Sequence, residues 1–88
     1  MYSSKIALVK EHKDELKKEF KVGPARTPVK IIGIGNKALK VLIFEASRFT
    51  AVPVWKQHWI NFEKDVPQSE MAQKLIEEMV KSISQSTL

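Results

Sequence analysis

The stretch that decides the fold is residues 29–44, VKIIGIGNKALKVLIF, in which two apolar runs flank Gly35 and Asn36. Glycine beside asparagine is typical of a two-residue hairpin turn, and β-branched residues favour extended strands. The stretch therefore predicts a β-hairpin, with one strand over residues 29–34 and the next over residues 38–46.

The register of this hairpin determines which side chains share a face. A turn closed on Gly35 and Asn36 sets Lys30 opposite Val41, and alternation then predicts two faces. One face carries Ile32, Ile34, Leu39, Val41 and Ile43. The other carries Val29, Ile31, Leu42 and Phe44 with Lys40, so that Lys30 and Lys40 point to opposite sides. Because both faces are partly apolar, helices must cover at least one of them.

A third strand is predicted over residues 49–62, with an interruption at Pro53. Proline cannot donate to a strand ladder, so this point is an edge or a bend. Alternation places Trp55, Gln57 and Trp59 on one face of the strand, and Val54, Lys56, His58 and Ile60 on the other. Trp55 and Trp59 either cover the core or face solvent, and the sequence leaves both possibilities open.

Helices are predicted at both ends of the chain. Residues 5–20 contain neither glycine nor proline, and they carry an apolar stripe made of Ile6, Val9, Leu16 and Phe20. The final helix opens near Pro67 with Asp65 or Val66 as its cap. Its stripe, at the spacing of a helix, consists of Ala72, Leu75, Ile76, Met79 and Ile83.

Together these elements predict an α+β fold in one small domain spanning residues 1–88, with the order α-β-β-β-α. A three-stranded antiparallel sheet is packed by two helices. Residues 21–28 contain two prolines and a glycine and are expected to form a loop. Residues 84–88 are expected to fray.

A glycine pattern offers one alternative interpretation. Residues 33–38, GIGNKA, match a relaxed dinucleotide-binding fingerprint, G-x-G-x-x-A. That reading requires a helix after the glycines, whereas residues 41–44 favour a strand. It also requires an acidic residue about 20 positions further on to contact the ribose, and none is present there. A hairpin turn is the better interpretation.

Catalytic and metal-binding motifs are missing. The chain has no cysteine, which excludes thiol catalysis and thiolate ligands. His12 and His58 fall in different elements and match no zinc-binding spacing. We therefore expect a non-enzymatic protein with no cofactor and no metal. No apolar run is long enough to span a membrane, and the start of the chain lacks a secretory signal, so we expect an intracellular protein, cytoplasmic or nucleoid-associated.

Uneven charge is the most informative functional signal. Residues 1–44 hold ten basic and four acidic residues, a net charge of +6, whereas residues 45–88 have a net charge of −1. Between positions 17 and 40, the chain has seven basic residues and a single acidic one, Glu19. A positive surface of this kind attracts phosphate, provided that folding brings the cations together.

These features favour a small basic protein that binds DNA or RNA. The phosphate contacts predicted from the sequence are Lys17, Lys18, Lys21, Arg26, Lys37, Arg48 and Lys56. Trp55 and Trp59 would stack on unpaired bases if they face solvent. The alternative is a protein-interaction module or small regulator that acts through an apolar sheet face, either on a partner or as a homodimer.

Overall fold

A computed structural model describes residues 2–47, 49 and 51–86. The elements follow in the order α1 (Tyr2–Glu11), β1 (Glu19–Val22), β2 (Thr27–Ile34), β3 (Ala38–Ala46), β4 (Pro53–Asn61) and α2 (Glu70–Ser86). The predicted α+β class, with an antiparallel sheet and two helices, is confirmed. The sheet has four strands in the order β1-β2-β3-β4, so the prediction of three strands was wrong.

The additional strand, β1, lies where the sequence predicted the end of a helix and a loop. Phe20 and Val22 are buried, whereas Glu19 and Lys21 are exposed, which is the two-residue alternation of a strand. A turn over residues 23–26 joins β1 to β2, with Gly23 at φ 75° and Arg26 at φ 55°. The predicted loop over 21–28 is therefore a β-hairpin.

The first helix is shorter than predicted because it ends at Glu11 rather than at Phe20. The backbone NH and ring Nδ1 of His12 lie 3.2 and 3.0 Å from the carbonyl oxygen of Leu8. Turns then lead to β1. Leu16 and Phe20 are buried as the predicted stripe required, but they reach the core from a turn and a strand.

The register between β2 and β3 differs from the prediction. Val29 pairs with Ile43 and Ile31 with Val41, but Gly33 pairs with Lys40. The register thus shifts at Ile32, which forms a β-bulge by adding one residue to β2. A shift of one residue moves side chains to the other face, so Val29 and Ile31 face the core while Ile32 does not.

One face of the sheet forms the core together with both helices. Its strand residues are Phe20, Val22, Val29, Ile31, Leu39, Val41, Ile43 and Ile60. Val9 of α1 and the α2 residues Ala72, Leu75, Ile76, Met79 and Ile83 belong to the same buried cluster. The predicted stripe of the final helix is therefore confirmed in full.

The opposite side of the sheet is called here the open face. It consists of Glu19, Lys21, Pro28, Lys30, Ile32, Lys40, Leu42, Phe44, Trp55, Gln57 and Trp59. Each of these residues is exposed or half-buried, and none is fully buried. The helices therefore leave this side uncovered within the described part of the chain.

The ends of α2 differ from their predicted positions. The helix begins at Glu70, and the Ser69 hydroxyl accepts a hydrogen bond from the Ala72 backbone NH at 3.2 Å. Ser69 is thus the cap, while Asp65 instead accepts a bond from the Asn61 backbone NH at 2.7 Å. At the other end, residues 84–86 are helical, and residues 87 and 88 lie outside the described residues.

Candidate nucleic-acid interface

The two tryptophans lie on the open face, away from the core. Trp55 pairs with Phe44 across the sheet, and Trp59 pairs with Lys40. The prediction that they share a face is confirmed, and the possibility that they cover the core is excluded. Trp55 is 36% exposed and Trp59 is 63% exposed. Both indole rings are therefore available to a ligand, and Trp59 more so than Trp55.

A lysine ammonium lies over each indole ring. The Lys30 Nζ is 4.5 Å from the ring centroid of Trp55, and the Lys40 Nζ is 5.4 Å from that of Trp59. Both distances fall within the range of a cation–π contact. The two lysines come from β2 and β3, so the sheet register is what brings each cation to its ring.

Apolar side chains fill the space between these pairs. The rings of Phe44 and Trp55 are tilted by 51° with their centroids 5.0 Å apart, an arrangement that aromatic pairs favour. Leu42 is half-buried beside them, and Ile32, at the bulge, is 41% exposed. The open face therefore combines apolar and aromatic side chains with cations.

The charge of the open face is positive, with one carboxylate present. Lys21, Lys30 and Lys40 supply three cations, and Glu19 supplies the single anion. Lys21 Nζ donates a hydrogen bond to the Glu19 carboxylate at 2.6 Å. That bond, with the nearby charges of Lys21 and Lys30, lowers the pKa of Glu19. Glu19 therefore stays ionised and forms an ion pair with Lys21. Lys30 and Lys40 are the cations that contact the tryptophans.

The predicted cations that the structure describes do not gather into one surface. Lys17 and Lys18 precede β1 instead of ending a helix. Arg26 lies in the turn before β2 and Lys37 in the turn after it, and an eight-residue strand holds these turns roughly 23 Å apart. Lys37 lines a cleft of about 460 Å³ beside Lys10 of α1.

Of the two remaining predicted cations, the structure describes only Lys56, and Lys56 does not join the tryptophans. Lys56 pairs with Ile43, so it lies on the core side of β4, opposite to Trp55 and Trp59. Arg48 lies outside the described residues. Of the predicted phosphate contacts that the structure describes, only Lys21 is on the open face.

Sequence reasoning missed Lys30 and Lys40 as site residues. It assigned them to opposite faces because it paired Lys30 with Val41, whereas Lys30 pairs with Leu42. The signal that could have revealed them is the apolar pattern of β2 itself. Placing both Val29 and Ile31 in the core brings Lys30 to the same side as Lys40.

Other kinds of site find little support in the described residues. No group of three or more histidine, aspartate or glutamate side chains there could hold a metal ion. His58 Nε2 lies 3.0 Å from the Glu45 carboxylate, and no nucleophile completes an arrangement typical of catalysis among the described hydrogen bonds. No described helix combines the length and apolar character needed to cross a bilayer.

Comparison of the chain with protein-family models, with curated proteins and with solved structures gives no match.

Proposed function

We propose that this protein binds nucleic acid through the open face of its sheet. The observation that carries the proposal is the pairing of two exposed tryptophans with two lysines, Lys30 with Trp55 and Lys40 with Trp59. Indole rings stack on bases, and ammonium groups contact phosphates. Sheets that bind single-stranded RNA use exposed aromatic side chains in the same way. Neither catalysis nor a cofactor is part of this proposal.

The electrostatic part of the proposal is tested by salt dependence. Binding of a labelled DNA of about 20 nucleotides, single-stranded or duplex, is measured by fluorescence anisotropy between about 50 and 200 mM salt. The double variant Lys30→Gln/Lys40→Gln removes two phosphate contacts. We expect the slope of log K against log salt to become shallower by about 1.4 for the single strand, since each contact contributes about 0.7.

A matched control removes the same charge elsewhere. Lys13 and Lys64 are exposed and lie outside the open face, so Lys13→Gln/Lys64→Gln should change the slope far less. Equal effects of the two double variants would show that binding depends on net charge and not on the open face. Absence of binding to either DNA at about 50 mM salt would contradict the proposal as a whole.

A second candidate is self-association or protein binding through the same face. Its support is the apolar character of Ile32, Leu42, Phe44 and Trp55 on a side that the helices leave uncovered. Sedimentation equilibrium separates the two candidates. A mass of two chains that falls to one chain in the variant Phe44→Lys would favour a homodimer, whereas a monomer that binds DNA favours the nucleic-acid interface.

A further inference from the structure

The spacing of the two tryptophans limits what the open face can bind. Trp55 and Trp59 are four residues apart on one strand and point to the same side. At about 3.3 Å per residue, their attachment points are roughly 13 Å apart. Stacked bases repeat at about 3.4 Å, so this span corresponds to roughly four base steps.

Each tryptophan with its lysine has the chemistry that complements one nucleotide. An indole face accepts a base, and an ammonium group within 4.5 or 5.4 Å of that ring is close enough to reach the phosphate of the same nucleotide. The open face therefore offers the same two chemical groups at two points along β4. Lys40 reaches Trp59 from the neighbouring strand, and Lys30 reaches Trp55 from β2, across β3.

A base can displace the lysine that lies over the ring. An exposed cation–π contact contributes roughly twofold to fivefold to an equilibrium constant, whereas base–aromatic stacking contributes roughly fivefold to 150-fold. Stacking therefore prevails, and the released ammonium is left beside the phosphate. Trp59 is the more exposed ring, so it should contribute more to binding than Trp55, whose ring also packs on Phe44.

Building on the proposed function, we infer that the ligand is single-stranded nucleic acid, with one base stacked on Trp55 and another on Trp59. In a duplex the base faces are already stacked, and only base edges are accessible in the grooves. The open face is a broad surface across four strands, whereas groove reading requires a helix or a two-stranded ribbon that fits inside the groove. Unpaired bases present the faces that tryptophan recognises.

The inference is tested with oligothymidylate and oligouridylate of about four, eight and twelve nucleotides, within the range of known single-strand site sizes. The two polymers distinguish DNA from RNA as the source of the ligand. We expect single strands of eight or more to bind at least about tenfold more tightly than a duplex of equal length. The shortest strand should bind more weakly, because it offers fewer phosphates and fewer ways to place one base on each tryptophan.

Variants of Trp59 test the more exposed of the two proposed stacking positions. Trp59→Ala should weaken single-strand binding roughly fivefold to 150-fold, while Trp59→Phe, which keeps an aromatic face, should retain most of the affinity. Val54→Ala is the matched control, because Val54 is exposed on the same strand but on its other side. Circular dichroism spectra establish that each variant is folded.

The outcomes separate this inference from the proposed function. Equal affinity for duplex and single strand, or a Trp59→Ala affinity within about twofold of wild type, overturns the inference and leaves the proposed function standing. Failure of every single strand and duplex to bind at low salt contradicts the proposed function itself.

Discussion

Deletion of Ile32 is predicted to leave the protein folded and almost as stable as wild type. Ile32 is the extra residue of the bulge, since Ile31 pairs with Val41 and Gly33 pairs with Lys40. Without it, these two pairs become consecutive in an unbroken ladder. Every inward residue of β2 keeps its partner, so the core is unchanged.

The magnitude follows from the exposure of the side chain. Ile32 is 41% exposed, and full burial of an isoleucine contributes about 1.5–3 kcal/mol, so its partial burial contributes about 1–2 kcal/mol. Against this loss, the shorter chain orders one residue fewer, which offsets about 1–2 kcal/mol of conformational entropy. The free energy of unfolding should therefore stay within about 1 kcal/mol of wild type.

Deletion of Leu42 is the matched control, because β3 pairs on both sides without a bulge between Val41 and Ile43. Val41 and Ile43 then become neighbours, and they cannot both face the core. Turning Ile43 outward and Phe44 inward should cost about 3–6 kcal/mol, a large part of the stability of a small domain.

Urea unfolding followed by circular dichroism measures both changes, with the slope of the transition compared between proteins. The reasoning is refuted if deletion of Ile32 destabilises the protein as much as deletion of Leu42 does. That result would mean that Ile32 is paired in the ladder and that the register described above is wrong.

Three further changes have defined expectations. Ser69→Ala removes the cap of α2 and should lower the free energy of unfolding by about 1 kcal/mol. The urea midpoint should fall in this variant but not in Ser69→Asp, which keeps a capping oxygen. Gly23→Ala should lower the free energy of unfolding by about 1–2 kcal/mol, because an alanine at φ 75° is strained even though its Cβ would meet only Lys74 Cδ, at 3.8 Å. An unchanged melting temperature would contradict the positive φ. Lys21→Met should raise the pKa of Glu19 toward its ordinary value in an NMR titration, because Lys21 is the main cause of its lowering. Because the pKa of Glu19 is lower in the folded protein than in the unfolded chain, ionised Glu19 stabilises the fold at a pH above the unfolded pKa. That stabilisation is lost as the pH falls through the folded pKa. The variant has less of it to lose, so its stability should change less with acid in that range.

Features that depend on local pattern were predictable from the sequence. The stripe of α2 repeats at helical spacing within one element, and all five of its predicted residues are buried. The shared face of Trp55 and Trp59 likewise follows from alternation within a single strand. Neither prediction depends on how the strand or helix is placed in the fold.

Features that depend on pairing were not predictable in the same way. β1 has only four residues, too few for alternation to outweigh the helical spacing of Leu16 and Phe20. The bulge at Ile32 is set by how β2 pairs with β3, and one residue of register decides which side each lysine faces. The candidate site of Lys30 and Lys40 therefore emerges only from the assembled sheet.

The uncovered side of the sheet has a consequence for how this protein can change. None of its residues belongs to the buried cluster that holds the chain together, so substitutions at its exposed positions should change the melting temperature less than substitutions in the core do. Stability and the proposed recognition of nucleic acid are thus assigned to different sets of side chains, so neither should restrict the other strongly. If the proposed interface is right, its specificity can change by mutation or by directed evolution without loss of the fold.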